Sequence, residues 1–149
     1  MTTELGILLV EDNDDDAELT LMAFKTAGLS NSVVRVRDGV EALDYLFGRG
    51  SYAGRDRNDL PGVVLLDLNL PRLGGLDVLA AIRAADNTKH LPVVVLTSSD
   101  EEEDRLGAYS RFANSYVRKP VDYDRFAAAA RDLGLYWLAL NRPLPRKTG

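Results

Sequence analysis

The chain has no cysteine and a single histidine, His90. The first absence excludes disulfide frameworks, thiolate zinc centres and cysteine nucleophiles. The second leaves a histidine-based metal cluster or a Ser-His-Asp triad almost nothing to work with. His90 itself, in front of an apolar run, reads as a loop residue without a role. No apolar run approaches the roughly 20 residues that cross a bilayer. Met1-Thr2-Thr3-Glu4 lacks the basic-then-apolar order of a secretory signal. A basic excess is missing too. The 18 Lys and Arg against 23 Asp and Glu give a formal charge of −5, the wrong sign for a nucleic-acid surface. Arg142, Arg146 and Lys147 are too sparse to reverse it. The expectation is a cytoplasmic protein with neither nucleic acid nor a membrane as partner.

What is present is an ordinary globular mix, 46% apolar and 28% charged over 149 residues, enough for one domain with a real core. Four apolar runs read as strands: Gly6 to Val10, Ser32 to Val36, Gly62 to Leu66 and Leu91 to Leu96. A shorter fifth is Ser115 to Val117. The strong runs are apolar without alternation, as in parallel strands covered on both faces. Between them lie helical patterns at Asp14 to Ala27, Gly39 to Phe47, Gly75 to Ala85 and Asp100 to Phe112. A last one runs from Asp122 through Leu140, until Pro143 and Pro145 stop it. Gly28 is the expected C-terminal stop of the first helix. Strand-helix alternation repeated five times predicts an α/β doubly wound sheet. Gly48 to Pro61 reads as a surface loop.

The residues that can carry chemistry follow the strands. Glu11 and Asp12 follow the first, Asp67 ends the third, Thr97 ends the fourth, and Lys119-Pro120 follow the fifth. In a doubly wound sheet these points share the edge where ligands bind. Three crowded carboxylates stay ionised most easily around a hard divalent cation such as magnesium. A lysine opposite them can hold a phosphoryl oxygen, and a threonine hydroxyl can donate to another. A carboxylate at the centre is then a nucleophile whose phosphorylation gives an acyl phosphate.

In this arrangement the chain resembles the receiver domain of two-component response regulators over nearly its whole length. The resemblance rests on "LLVEDN" at Leu8 to Asn13, "LLDLNLPRLGG" at Leu65 to Gly75, "VVVLTSS" at Val93 to Ser99 and "YVRKP" at Tyr116 to Pro120. It implies a flavodoxin-like five-stranded parallel sheet of order 2-1-3-4-5 with five helices. Asp67 is then the phosphoacceptor, and Glu11, Asp12, Asp67 and the backbone carbonyl of Asn69 hold Mg2+. Lys119 holds the phosphoryl group, Thr97 moves toward it, and Tyr116 turns inward as Thr97 vacates space. Asn69 and Ser99 tune dephosphorylation. Such a chain accepts phosphate from a sensor histidine kinase and loses it slowly, without being a turnover enzyme.

A narrower resemblance is to the single-domain regulators that partner bacterial phytochromes. It is carried by the long loop Gly48 to Leu60, "SSDEEED" at Ser98 to Asp104, "KPVDYDRF" at Lys119 to Phe126 and "LYWLALNRPLP" at Leu135 to Pro145. It implies a phytochrome-type kinase and pairing through the face formed by the fourth and fifth helices and the fifth strand. One receiver domain is expected over 1–149, with a core of about 5–140, a short tail 141–149 and no output domain. Two departures stand out. Ser98 replaces a small apolar residue, and Phe112 stands where relatives commonly have glycine before "AN". Positive φ at phenylalanine costs about 1 kcal/mol or more, so the fourth helix is expected to end differently.

Plainer readings stand beside these. Asp14, Asp15 and Asp16 read as the acidic first turn of a helix capped by Asn13 or Asp14, and Glu101 to Asp104 as another. Thr97 could serve as an N-cap. On the last helix Phe126, Ala130, Leu133, Trp137 and Leu140 form a stripe for the sheet. That leaves Leu135, Tyr136 and Leu138 as a surplus, either paired in a homodimer or covered by Pro143 to Pro145. Two other functions compete. A haloacid-dehalogenase-type phosphatase also uses an aspartyl nucleophile, but it wants an acid where Asn69 stands. A phosphorylation-silent interaction module could keep every site residue.

Overall fold

The protein is described by a computed structural model covering residues 6–29, 33–142 and 145. Ser32, at the head of the expected second strand, lies outside the described residues, as do Pro143, Leu144, Arg146 and Lys147. The order of elements is β1 (Ile7–Val10), α1 (Asp14–Thr26), β2 (Val33–Val36), α2 (Gly39–Phe47), β3 (Val63–Leu66), α3 (Gly75–Ala84), β4 (Val93–Thr97), α4 (Glu102–Ser110), β5 (Ser115–Arg118) and α5 (Tyr123–Leu135). A single 3₁₀ turn at Gly50–Tyr52 interrupts the surface loop, and a π-helical turn, Tyr136–Leu140, continues α5.

All five strands run parallel in the order β2-β1-β3-β4-β5. Burial explains the unbroken apolar runs. Every residue of β1, β3 and β4 is buried, whereas β2 and β5 at the edges are partly open. Alternate side chains enter opposite layers. Ile7, Leu9, Val63, Leu65 and Val94 pack with Ala17, Phe24, Phe126 and Ala130 of α1 and α5. Leu8, Val10, Val64, Leu66, Val93 and Val95 pack with Leu43, Leu46, Leu79, Ile82 and Ala108 of α2, α3 and α4.

The helices start and stop for local reasons. Asn13 caps α1 by accepting from the Asp16 amide, and Asp38 caps α2 by accepting from Glu41. At the end of α1, Gly28 takes φ +80° while the Leu29 amide reaches back to the Phe24 carbonyl and Gly28 to Lys25. That is a Schellman ending, and glycine adopts the left-handed conformation without a Cβ clash.

The end of α4 corrects an expectation. The helix does close on a left-handed residue, and that residue is Phe112, at φ +62°. The Ala113 amide donates to the Ala108 carbonyl and the Phe112 amide to Tyr109, the same Schellman pattern. Arg83 of α3 holds the turn, donating from Nε and Nη2 to the Phe112 carbonyl at 3.1 and 2.8 Å.

The last helix brings a second correction. Leu138 packs on the core beside Leu133 and Trp137, whereas Leu140, expected on the inward stripe, is 71% exposed. A π turn inserts about one extra residue, which rotates everything after it by roughly 100°. The stripe therefore passes from Trp137 to Leu138, and Leu140 swings outward. Leu135 is half-buried and Tyr136 is exposed, its ring edge-on to Trp137.

Candidate functional site

Backbone ladders place the polar residues just past the ends of the strands. The Glu11 amide donates to the Val36 carbonyl, Asp67 to Val10 and Lys119 to Thr97. Glu11, Asp67, Thr97 and Lys119 are thus pinned by the sheet, and all four are buried. Gly75 keeps α3 close to this edge, since a Cβ there would collide with the Asp67 carbonyl and the Leu68 backbone.

Asp67 is the centre. Its Oδ1 accepts from the Thr97 hydroxyl at 2.9 Å and from the Asn69 amide at 3.0 Å. Its Oδ2 accepts from Lys119 Nζ at 2.9 Å. Lys119 also donates to Glu11 Oε1 at 2.6 Å and to Asp16 Oδ2 at 2.9 Å. Burial alone would lower the Lys119 ammonium; the hydrogen bonds to Glu11, Asp67 and Asp16 outweigh it and hold its pKa above the usual lysine value. Glu11 is raised as well, which for an acid favours the neutral form. Burial pushes it up to about 7, with the Asp67 charge adding, although Lys119 and the Asn13 amide pull down.

Oxygens of Glu11, Asp12 and Asp67 all lie within 4.8 Å of one another, with Asp12 exposed and the other two buried. Three carboxylate donors, one open to water, suit a hard cation that keeps part of its hydration, such as magnesium. Asn69 is exposed and touches the site through its amide.

The expected switch residues are joined through a loop. Tyr116 is half-buried against the α2–α3–α4 layer, and its hydroxyl donates to the Ser99 carbonyl at 3.0 Å. The hydroxyl of Ser99, expected to tune dephosphorylation, donates to Asp104 Oδ2 at 2.6 Å. Ser98 and His90 are exposed.

Two residues of the site were not singled out from sequence. Asp16 is part of the Lys119 network rather than only an acidic first turn. Its signal was spacing, because half-buried Asp16 lies one turn before Thr20 on the face of α1 that buries Thr20 and Ala23. Arg35, the lone charge in β2, donates from Nε and Nη2 to the Glu11 carbonyl at 2.9 and 2.8 Å and bridges to Asp14. Arg37 and then Arg35 hold Asp14 below the usual carboxylate range.

Comparison with known proteins agrees with this geometry. The family model of the response regulator receiver domain matches residues 7–131. The probable methanogenesis regulatory protein FilR2 of Methanothrix harundinacea (strain 6Ac) is 41% identical over 136 residues, covering 91% of this chain and 85% of its own. The phosphorylated cyanobacterial phytochrome response regulator RcpA superposes with a TM-score of 0.87 at 35% identity, covering 95% of this chain and 99% of its own. The bacteriophytochrome response regulator AtBRR is 49% identical, with a TM-score of 0.74 and coverage of 95% and 100%. A doubly wound sheet of order 2-1-3-4-5 with a buried lysine, threonine and carboxylates at one edge, and a family match over most of its length, make this chain a member of the response regulator receiver domain family of two-component systems.

Proposed function

We propose that Asp67 is the phosphoacceptor and that the donor is a phytochrome-type sensor histidine kinase. The observation that carries the first part is the convergence of Lys119, Thr97 and the Asn69 amide on the two Asp67 oxygens. In the transfer an Asp67 oxygen forms a bond to phosphorus as the phosphorus–nitrogen bond of the donor phosphohistidine breaks, and the imidazole nitrogen takes a proton. Positioning and charge neutralisation do most of the work in such a step. Lys119 supplies a fixed positive charge at Asp67 Oδ2 and Thr97 a hydroxyl at Oδ1. Asp12, Asp67, Glu11 and the Asn69 carbonyl would hold Mg2+, which supplies charge neutralisation at the phosphoryl oxygens.

The phosphoryl group adds charge and acceptor oxygens that draw Thr97 and Lys119. Thr97 ends β4 and leads directly into the Ser98–Ser99 loop, so its movement bears on the Ser99 carbonyl that Tyr116 grips. This couples the chemistry to the surface of α4 and β5. The similarity to the phytochrome regulators RcpA and AtBRR supports the choice of kinase. Slow self-dephosphorylation without steady turnover follows from the same reading. A homodimer is supported by large apolar side chains left open on α4 and at the start of α5, where Leu106 is 64%, Val121 95% and Tyr123 71% exposed.

The test is intact-mass measurement after incubation with acetyl phosphate and Mg2+. One phosphoryl group should be gained, with no gain when Mg2+ is chelated beforehand or in Asp67→Asn. Labelling of Asp67→Asn to the same extent would overturn the assignment, and labelling only by a phytochrome kinase would locate the selectivity in that partner.

A further inference from the structure

Asp16 has no part in the transfer as just described, yet it lies inside the machinery. Its Oδ2 is as near to Lys119 Nζ as Asp67 Oδ2 is, 2.9 Å in each case. Its side chain is 31% exposed, against 70% for Asp14 two residues earlier. The residue is also held by its backbone. The Asp16 amide donates to Asn13 Oδ1 at 2.9 Å, and the Thr20 hydroxyl donates to the Asp16 carbonyl at 2.8 Å. An ammonium has three hydrogens to give, and Glu11, Asp16 and Asp67 take all of them.

We propose that Asp16 is a positioning residue that shares Lys119 with Asp67, and so limits how firmly the phosphoryl group is held and how long it lasts. This rests on Asp67 as the phosphoacceptor. A phosphoryl oxygen on Asp67 must draw Lys119 against the pull of Asp16, and Asp16 also places a negative charge beside the incoming dianion. Hydrolysis forms a bond between a water oxygen and phosphorus, breaks the bond from phosphorus to the Asp67 oxygen, and releases inorganic phosphate and one proton. In the loose transition state negative charge moves toward the departing Asp67 oxygen. A lysine gripping the phosphoryl oxygens therefore favours the acyl phosphate over its hydrolysis. By weakening that grip, Asp16 shortens the lifetime. Before phosphorylation it acts the other way on a cation. It draws Lys119 partly off Glu11 and Asp67 and adds negative charge, both of which favour Mg2+.

The experiment compares Asp16→Asn with Asp15→Asn, which removes a charge from the same helical turn without touching Lys119. Mg2+ dissociation constants are measured by calorimetry on the unphosphorylated proteins, and phosphoryl half-lives by intact mass after donor removal. Asp16→Asn should lengthen the half-life about threefold or more and raise the Mg2+ dissociation constant by about the same factor, the order expected of one charge lost in a partly screened site. Asp16→Glu should return both values toward those of the parent. Equal behaviour of Asp16→Asn and Asp15→Asn would overturn the proposal and leave Asp16 a helix-terminal acid. If the parent protein gains no phosphoryl group, the phosphoacceptor reading fails by itself. The Mg2+ comparison then decides on Asp16 alone, an unchanged dissociation constant overturning its role.

Discussion

Thr97 Oγ1 stands 2.9 Å from Asp67 Oδ1, two buried side chains 30 residues apart joined by one hydrogen bond. The hydroxyl is thus already in contact with the carboxylate it would serve, and Tyr116 is tied to the same loop through Ser99. Thr97→Ala should remove a hydrogen bond to a charged group, worth about 1.5–3 kcal/mol. Labelling at Asp67 should persist at a rate lowered roughly tenfold or more, while the Tyr116 ring resonances no longer change on phosphorylation. A variant labelled at the parent rate, with Tyr116 still responding, would show that Thr97 does not transmit the signal.

Lys119 is the cation that faces the carboxylates of Glu11, Asp16 and Asp67. Lys119→Met leaves Glu11 and Asp67 buried without their cation, a loss of about 3–5 kcal/mol at neutral pH. Urea unfolding should show this loss shrinking at pH 5, where the orphaned carboxylates take up protons, and shrinking again in millimolar Mg2+. A loss independent of both would mean that Lys119 stabilises by packing its stem.

Glu11 titrates near 4.5 when unperturbed and about 7 in the folded protein. A raised acid binds more protons folded than unfolded. Its contribution to stability therefore falls as pH rises from about 4.5 to 7 in the absence of a cation. Mg2+ requires the ionised form, so binding at pH 7 should release roughly half a proton. Affinity should drop on going from pH 8 to 6. Calorimetry in two buffers of different protonation enthalpy measures the release; none at pH 7 would mean that Glu11 is already ionised there.

Phe112 holds a left-handed turn with its ring 73% exposed, so little packing offsets the strain. Phe112→Gly should raise stability by about 1 kcal/mol, less the entropy that glycine loses on folding. Arg83→Ala, which removes the hydrogen bonds to the Phe112 carbonyl, should lower it. Thermal unfolding separates the two signs, and a destabilised Phe112→Gly would point to a contact made by the ring in the proposed homodimer.

The π turn at Tyr136–Leu140 makes Leu138 and Leu140 unequal. Leu138→Ala should cost about 1–3 kcal/mol and Leu140→Ala less than about 0.5. The reverse order would restore the unbroken α-helical stripe read from sequence.

Much of the molecule was legible in its sequence because the signals are local or positional. Doubly buried strands need unbroken apolar runs, so β1, β3 and β4 announced themselves. Glu11, Asp12, Asp67, Thr97 and Lys119 announced themselves by following strands, because a parallel sheet must bring those points to one edge. Gly28 marked a helix end by its tolerance of positive φ. What the sequence could not decide depends on contacts between distant elements. Asp14, Asp15 and Asp16 look alike in a row, and only the approach of β5 to α1 draws Asp16 to Lys119. Phe112 reads as an unfavourable residue for a left-handed turn until Arg83, 29 residues earlier, is seen holding its carbonyl. The last helix follows its periodicity until a π turn rotates it, and Leu138, brought inward beside Trp137, packs on the core. Local propensity set the elements; packing between them set which of several equivalent side chains faces the chemistry.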